Sequence, residues 1–444
     1  MERKMRIASK STIGRELGMS GSSAPEELPI TNYDFYKRYF EEPHEGDFMY
    51  PIQEYVNVST SGTMGKPKTF LLPMSGLQDN MRKTGFTLIW IYSHDGEESR
   101  FEVGDVVYTN VPGGSHLSAY NARIGARQNT GLVSLCPDPD LPFQRKVDYF
   151  IENVEDIDMA YMTVTTLVDE VYPRIGEPFY LKGFMTQDSS AGVLKEEIKK
   201  ITGNYPKVTY GSTETLASTL ASIQHPGCFF FDWRIIYPEF LPEDIKIPFD
   251  VPLVLEPPET TPMMDVQVGK RYQLIATLFK TDITRYAMPD ILECVSKGDD
   301  ILGVEAPMFR YYSRADNLIV LHNFTRIAED ELVQVLKEAE IPYVDFTARK
   351  ELDGSRDHMV MYIELLTPMS EEEVLRRIHE KMMDFDKDWR DFTNFLKYAP
   401  LKLRLLTRGT FNKYLRSKPG MPRINRIGMR EERLQELLRF SSGA

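Results

Sequence analysis

One stretch limits what this chain can fold into: Val56-Asn-Val-Ser-Thr-Ser-Gly-Thr-Met-Gly-Lys-Pro-Lys-Thr-Phe-Leu-Leu-Pro73. It begins apolar and β-branched, passes through hydroxyls, glycines and lysines, and returns to an apolar run, so it reads as two strands around a turn. Gly62 and Gly65 let the backbone turn tightly and present N–H groups. Ser59, Thr60, Ser61 and Thr63 add hydroxyls, and Lys66 and Lys68 add charge. A concavity of such donors suits a polyphosphate, whereas the plain reading is a Ser/Gly turn in a hairpin. It is not a Walker A loop, because Thr60 and Pro67 stand where that pattern needs Gly and Ser or Thr.

The surrounding chain has room for two or three domains in its 444 residues. A net charge of −13 argues against nucleic acid or an anionic membrane as partner, since either favours a basic face. Cys136, Cys228 and Cys294 lie far apart with no CxxC pair, which fits a reducing compartment and offers no zinc spacing. The start, Met1-Glu-Arg-Lys-Met-Arg, leads into no apolar signal segment. The most apolar run, Phe86-Thr-Leu-Ile-Trp-Ile-Tyr92, is too short to cross a bilayer. The expectation is a cytoplasmic protein.

Between residues 74 and 203 strand-like and helix-like segments alternate, which predicts an α/β fold with a doubly wound sheet. Helices are expected over 74–88, 117–125, 167–172 and 192–202, and strands over 105–111, 131–136 and 158–164. Ligands of such sheets bind beyond the carboxyl ends of the strands, where Gly113-Gly-Ser-His116 would lie. Aromatics at i, i+3, i+4 and i+7 make 32–40 an amphipathic helix. Residues 226–316 read as a β-rich subdomain, with strands over 228–237, 251–255 and 271–278. The boundary falls at 316, and 317–444 reads as a small, mobile α+β domain with a long helix over 369–395 and a basic tail.

The string Ser59-Thr-Ser-Gly-Thr-Met-Gly-Lys-Pro-Lys68, followed by Tyr210-Gly-Ser-Thr-Glu214, resembles the phosphate loop and the Tyr-Gly-x-Thr-Glu motif of the adenylate-forming superfamily. That superfamily includes acyl-CoA synthetases, luciferases and the adenylation domains of peptide synthetases. The order Ser11–Gly18, Leu28–Tyr33, Pro51–Tyr55 and then the loop is similar to the N-terminus of GH3-type acyl-acid amido synthetases. Phenylacetate-CoA-ligase-like enzymes are the other near branch. The resemblance implies that Ser59, Thr60, Ser61, Gly62, Thr63, Gly65 and Lys68 bind ATP, with Gly211 and Ser212 beside Tyr210. By it Tyr210 would stack on adenine, Thr213 would meet the α-phosphate, and Glu214 would hold Mg²⁺. A carboxylate on a hard cation beside phosphates is the usual Mg²⁺ arrangement.

Thr281-Asp-Ile-Thr-Arg-Tyr-Ala-Met-Pro-Asp290 and Ser313-Arg-Ala-Asp316 resemble two further motifs of that superfamily. They imply ribose contacts from Asp290, a ribose or phosphate contact from Arg314, and a hinge at Asp316. Pro289 stands in place of the family glycine. Gly114 and His116 would line the acyl pocket. Lys418 and Lys413 compete for the adenylation lysine.

The implied chemistry is ATP-dependent activation of a small carboxylic acid to acyl-AMP with release of pyrophosphate, then transfer to an amine. Transfer to the thiol of CoA is the alternative. A nucleotide-binding regulator without catalysis is a third reading, motivated by the replaced glycines.

Overall fold

The strand Asp105–Thr109 starts a sheet whose order explains where a ligand could sit. Five strands lie parallel in the order Val133–Cys136, Asp105–Thr109, Met159–Tyr161, Gly183–Thr186, Lys207–Val208. The first strand in sequence is second in space, so the winding direction reverses between Asp105–Thr109 and Met159–Tyr161. That reversal opens a crevice at the carboxyl ends, above Asn110 and Met162. Both faces are covered: Tyr108, Phe150 and Phe184 pack on one side, and Ile89, Tyr92, Val107 and Met159 on the other. Two covered faces explain why Val-Val-Tyr is continuous rather than alternating. A Cβ on Gly183 would stand 2.0 Å from the Tyr92 carbonyl, so the helix Phe86–Tyr92 closes onto this sheet only over a glycine.

The computed structural model describes residues 1–60, 68–128, 131–164, 166–192, 194–245, 247–248, 251–314, 318–321, 325–396, 398–417 and 424–441. The described chain forms two compact units, one within residues 1–60 and 69–314, the other comprising residue 68 and residues within 318–441. The fold is α/β, as the alternation of segments predicts.

The first unit also holds a mostly antiparallel sheet of nine strands among the described residues. Its main path runs Thr261–Pro262, Ile236–Pro242, Arg271–Leu278, Tyr286–Ser296, Met308–Arg314, Phe229–Phe231, Thr219–Ala221. Ile30–Thr31 and Leu253–Val254 attach beside Tyr286–Ser296. Phe240 and Phe309 stack 4.7 Å apart in its core, with Phe231 edge-on to both. N-terminal segments clamp the turn at 281–284. Lys4 Nζ donates to the Thr281 and Ile283 carbonyls (2.5 and 3.1 Å), and the Thr284 N–H donates to Tyr36 Oη (2.9 Å). Asp282 accepts the Met49 N–H and the Tyr55 hydroxyl (2.8 and 2.6 Å).

Several expected elements differ in extent. The helix read over 74–88 continues to Tyr92, through a π-helical turn at Met81–Gly85. The strand read over 228–237 is two strands, Phe229–Phe231 and Ile236–Pro242. The Asp232 carbonyl accepts the Ile235 and Ile236 N–H groups and turns the chain between them. Only Leu253–Val254 of 251–255 pairs as a strand.

The second unit has its own core, in which Trp389 is fully buried among Leu336, Phe346, Met361 and Ile378. Its sheet joins Tyr343–Asp353 antiparallel to Arg356–Leu365, and that strand parallel to Leu401–Leu406. The long helix read over 369–395 is two, Glu371–Phe385 and Lys387–Leu396. Asp386 leaves the helical conformation and its carboxylate accepts the Asp388 N–H at 2.8 Å, restarting the helix as a cap does.

Candidate functional site

Strands Tyr55–Ser59 and Thr69–Pro73 pair antiparallel, with Ser59 opposite Thr69 at the foot of the loop. Ser61, Gly62, Thr63 and Gly65 lie outside the described residues. Ser59, Thr60 and Lys68 border them and are half-buried. The foot is tied to the loop above the crevice: the Ser59 N–H donates to the Ser115 carbonyl (2.9 Å) and the Ser115 hydroxyl to Ser59 Oγ (3.0 Å). His116 forms a parallel bridge with Ser59, and its carbonyl accepts the Tyr120 N–H as the helix Leu117–Gln128 begins. Gly114, at φ 71°, bends this loop. Its N–H donates to Asp140 (2.8 Å) and its carbonyl accepts Arg123 Nη1 (2.9 Å), while Arg123 also grips Asp140. Lys146, buried, holds the Val111 and Pro139 carbonyls. Two helices thereby fix the loop that the sequence marks as an acyl-pocket wall.

The 210–214 motif follows the last parallel strand. Tyr210 is buried, with its ring stacked 5.4 Å from Phe229 and its hydroxyl donating to Asp290 Oδ2 at 2.6 Å. Asp290 lies within the strand Tyr286–Ser296, directly across from Arg314 in register. The register shifts opposite Pro289, between Gln273 and Ile275, and Gln273 Nε2 donates to the Met288 carbonyl (2.7 Å). A residue with no N–H is tolerated in a central strand at such an irregularity.

After Tyr210 the chain makes a knotty turn. Ser212 and Thr215 exchange hydroxyl and N–H bonds, the Ala217 N–H returns to the Ser212 carbonyl (3.0 Å), and the Leu216 N–H to the Thr213 carbonyl (3.3 Å). Thr213 is buried and Glu214 half-buried. A Cβ on Gly211 would meet Gln187 Nε2 at 2.3 Å and Ala217 Cβ at 2.8 Å, so only glycine fits there.

The Glu214 carboxylate is felt by two buried or half-buried phenols. Burial raises the Tyr286 phenol well above its ordinary range, and Glu214 is the next contributor. Burial also raises the Tyr33 phenol, with smaller pushes from Glu41, Asp34 and Glu214. Tyr33 Oη exchanges hydrogen bonds of 3.2 Å with the Thr69 carbonyl and N–H, across from Ser59. No group of three or more His, Cys, Asp and Glu suited to a metal occurs among the described residues. One carboxylate fits a Mg²⁺ that arrives with substrate phosphates, which supply its other ligands.

Lys413 is exposed on the helix Thr410–Arg416 of the second unit. Buried Glu364 accepts the Gly409 and Phe411 N–H groups (2.6 and 3.0 Å) where that helix begins. Lys418 and Asp316 lie outside the described residues, and Arg314 is described in its backbone alone. The sequence reading gave no site role to Tyr33, Asp140 or Asn80. Each acts through a contact between distant segments that no local pattern announces.

Residues 229–314 match the GH3 family central domain and residues 328–422 the GH3 family C-terminal domain. A probable indole-3-acetic acid-amido synthetase of Oryza sativa subsp. japonica is 27% identical over 197 residues, 40% of this chain and 31% of that protein. An indole-3-acetic acid-amido synthetase of Arabidopsis thaliana is 27% identical over 195 residues, 41% of this chain and 30% of that protein. The matched segments thus span about a third of each plant relative's length. Among solved structures, the AtGH3.15 acyl acid amido synthetase in complex with 2,4-DB superposes with a TM-score of 0.54 at 13% identity, over 99% of this chain and 92% of that one. A 2-hydroxyisobutyryl-CoA ligase in complex with 2-HIB-AMP and CoA superposes with a TM-score of 0.63 at 15% identity, over 99% and 90%. These structural likenesses show a shared fold.

Proposed function

We propose an ATP-dependent ligase that activates a small carboxylic acid and passes the acyl group to an amine; the matches to the GH3 central and C-terminal domains and the fold shared with an amido synthetase and a CoA ligase support it. The observation that carries this reading is the hydrogen bond of 2.6 Å from the Tyr210 hydroxyl to Asp290, which brings two of the resembling motifs together.

In the first step a carboxylate oxygen of the acid forms a bond to the α-phosphorus of ATP, and the bond to the departing pyrophosphate breaks. The hydroxyls of Ser59, Thr60, Ser61 and Thr63, the backbone at Gly62 and Gly65, and Lys68 hold the leaving group. Thr213 meets the α-phosphate. Tyr210, backed by Phe229, stacks on adenine between Gly211–Ser212 and Asp290. Asp290 accepts the ribose hydroxyls, and Arg314 contacts ribose or phosphate. Mg²⁺ at Glu214 supplies neutralisation of phosphate charge when bound. Lys418 or Lys413 adds positive charge as negative charge develops. Positioning and electrostatics suffice here, so no protein nucleophile is required. Gly114 and His116 wall the acid, and Asp316 is the hinge between steps. In the second step the amine nitrogen bonds to the acyl carbon and loses a proton, and AMP leaves with the electron pair of the broken C–O bond.

Transfer to the thiol of CoA is the second reading, since a CoA ligase shares this fold as fully as an amido synthetase does. Carboxylate-dependent exchange of pyrophosphate into ATP tests adenylation. Exchange with some member of a broad acid panel supports it, whereas nucleotide binding without exchange favours a regulator. Lys418→Ala and Lys413→Ala in that assay decide the lysine, since the true one slows exchange by orders of magnitude. Mass measurement of products after adding amino acids or CoA decides the acceptor.

A further inference from the structure

The Thr213–Ala217 turn holds a conformation its own sequence disfavours. Leu216 (φ 55°) and Ala217 (φ 52°) are successive non-glycine residues in the left-handed region. Such residues persist only where their surroundings impose them, and they gather at functional sites. Leu216 is buried in the main core, which fixes its side chain. Its carbonyl accepts a hydrogen bond of 2.8 Å from Nδ2 of Asn80. Asn80 ends the helix Met74–Asn80, the first helix after the hairpin, and is 2% exposed.

Asn80 is an odd choice for that place. Its Oδ1 is buried and has no hydrogen-bond partner among the described residues. An unsatisfied buried acceptor destabilises, so Asn80 loses stability at Oδ1 while its Nδ2 satisfies the Leu216 carbonyl. The one polar bond Asn80 makes is to the turn two residues beyond Glu214. The same helix begins where the strand Thr69–Pro73 ends, so one rigid element joins hairpin and turn.

We infer that Asn80 is a positioning residue: it locks the Leu216 carbonyl, and so sets where Thr213 and Glu214 meet the metal–triphosphate. The inference rests on the nucleotide site proposed above. It predicts a split between stability and binding that a merely structural residue would not produce.

The test uses the full chain with Asn80→Leu, which keeps the branching at Cγ and removes the donor, Asn80→Asp, which turns an acceptor toward the Leu216 carbonyl, and Asn80→Ser, which keeps a shorter donor. Three quantities are measured: thermal midpoint, affinity for ATP with and without Mg²⁺ by calorimetry, and hydrogen exchange across 212–219. For Asn80→Leu the expected result is a midpoint changed little, because the orphaned Leu216 carbonyl offsets the relief of the unpartnered Oδ1. Affinity for Mg·ATP falls about tenfold, as loss of one aligned hydrogen bond would produce. Affinity for metal-free ATP falls far less, and exchange at the Ala217 and Ser218 N–H groups quickens. Asn80→Asp shows the larger loss and Asn80→Ser the smaller. A lowered midpoint with unchanged Mg·ATP affinity overturns the inference, as does unchanged exchange across 212–219. Failure of the wild-type chain to bind Mg·ATP sinks the nucleotide reading instead. The exchange measurement still decides whether Asn80 shapes the turn.

Discussion

Gly211 is the residue at which sequence, packing and site meet most tightly. Any side chain there would drive into Gln187 and Ala217, at 2.3 and 2.8 Å from the added carbon. Overpacking of this kind costs about 1–3 kcal/mol. Gly211→Ala should therefore lower the urea midpoint and weaken nucleotide binding. Adding Gln187→Ala should recover only part of the loss, because Gln187 can swing aside whereas Ala217 is fixed by its own turn. A Gly211→Ala protein that matches wild type in both measurements refutes this account. The Tyr-Gly-Ser-Thr-Glu string was legible in the sequence as a turn with a carboxylate. The Tyr210 hydroxyl on Asp290, 80 residues away, was not, because hydrogen bonds between distant strands leave no local pattern. His116 enters the helix Leu117–Gln128 and bridges to Ser59 at the hairpin foot.

Among the elements, the N-terminal segments act as a clamp on the 281–284 turn, and its pH response follows from one buried amine. Burial lowers the Lys4 ammonium from 10.5 to about 7, against a smaller upward pull from Asp282. Between about pH 7 and 10.5 the unfolded chain holds a proton that the folded chain has shed, so stability rises with pH across that window. The slope from this group is at most about 1.4 kcal/mol per pH unit. Lys4→Met should flatten the rise in urea midpoint between pH 7 and 10. Lys207, lowered to about 8 by burial, would keep its own share of the rise in that variant. An equally steep rise in Lys4→Met would count against the assignment. Elements with a strong local period were legible: the helix at Tyr33–Glu41 and the strand at Asp105–Thr109 stand where the pattern put them. Breaks were harder. The split at Asp386 and the turn at Asp232 depend on one carboxylate and one carbonyl capturing nearby N–H groups, inside runs whose apolar spacing continues unbroken.

Among the described residues each of the two units has core clusters of its own, so unfolding need not be a single transition. The three tryptophans report on this unevenly. Trp389 is fully buried in the second unit, whereas Trp90 and Trp233 of the first are 43% and 50% exposed. Fluorescence on denaturation should therefore follow the second unit, and far-ultraviolet dichroism should follow both. The two curves should separate in wild type, and Trp389→Phe should remove most of the red shift; coincident curves with an intact shift refute this. Among the described residues, the outermost strands of the nine-stranded sheet are short: Thr261–Pro262 at one side and Thr219–Ala221, wholly buried, at the other. A two-residue rim closed by a proline gives a neighbouring molecule almost no row of open amides to zip onto. Concentrated solutions of this β-rich protein should thus resist fibril growth through that sheet for as long as it stays folded.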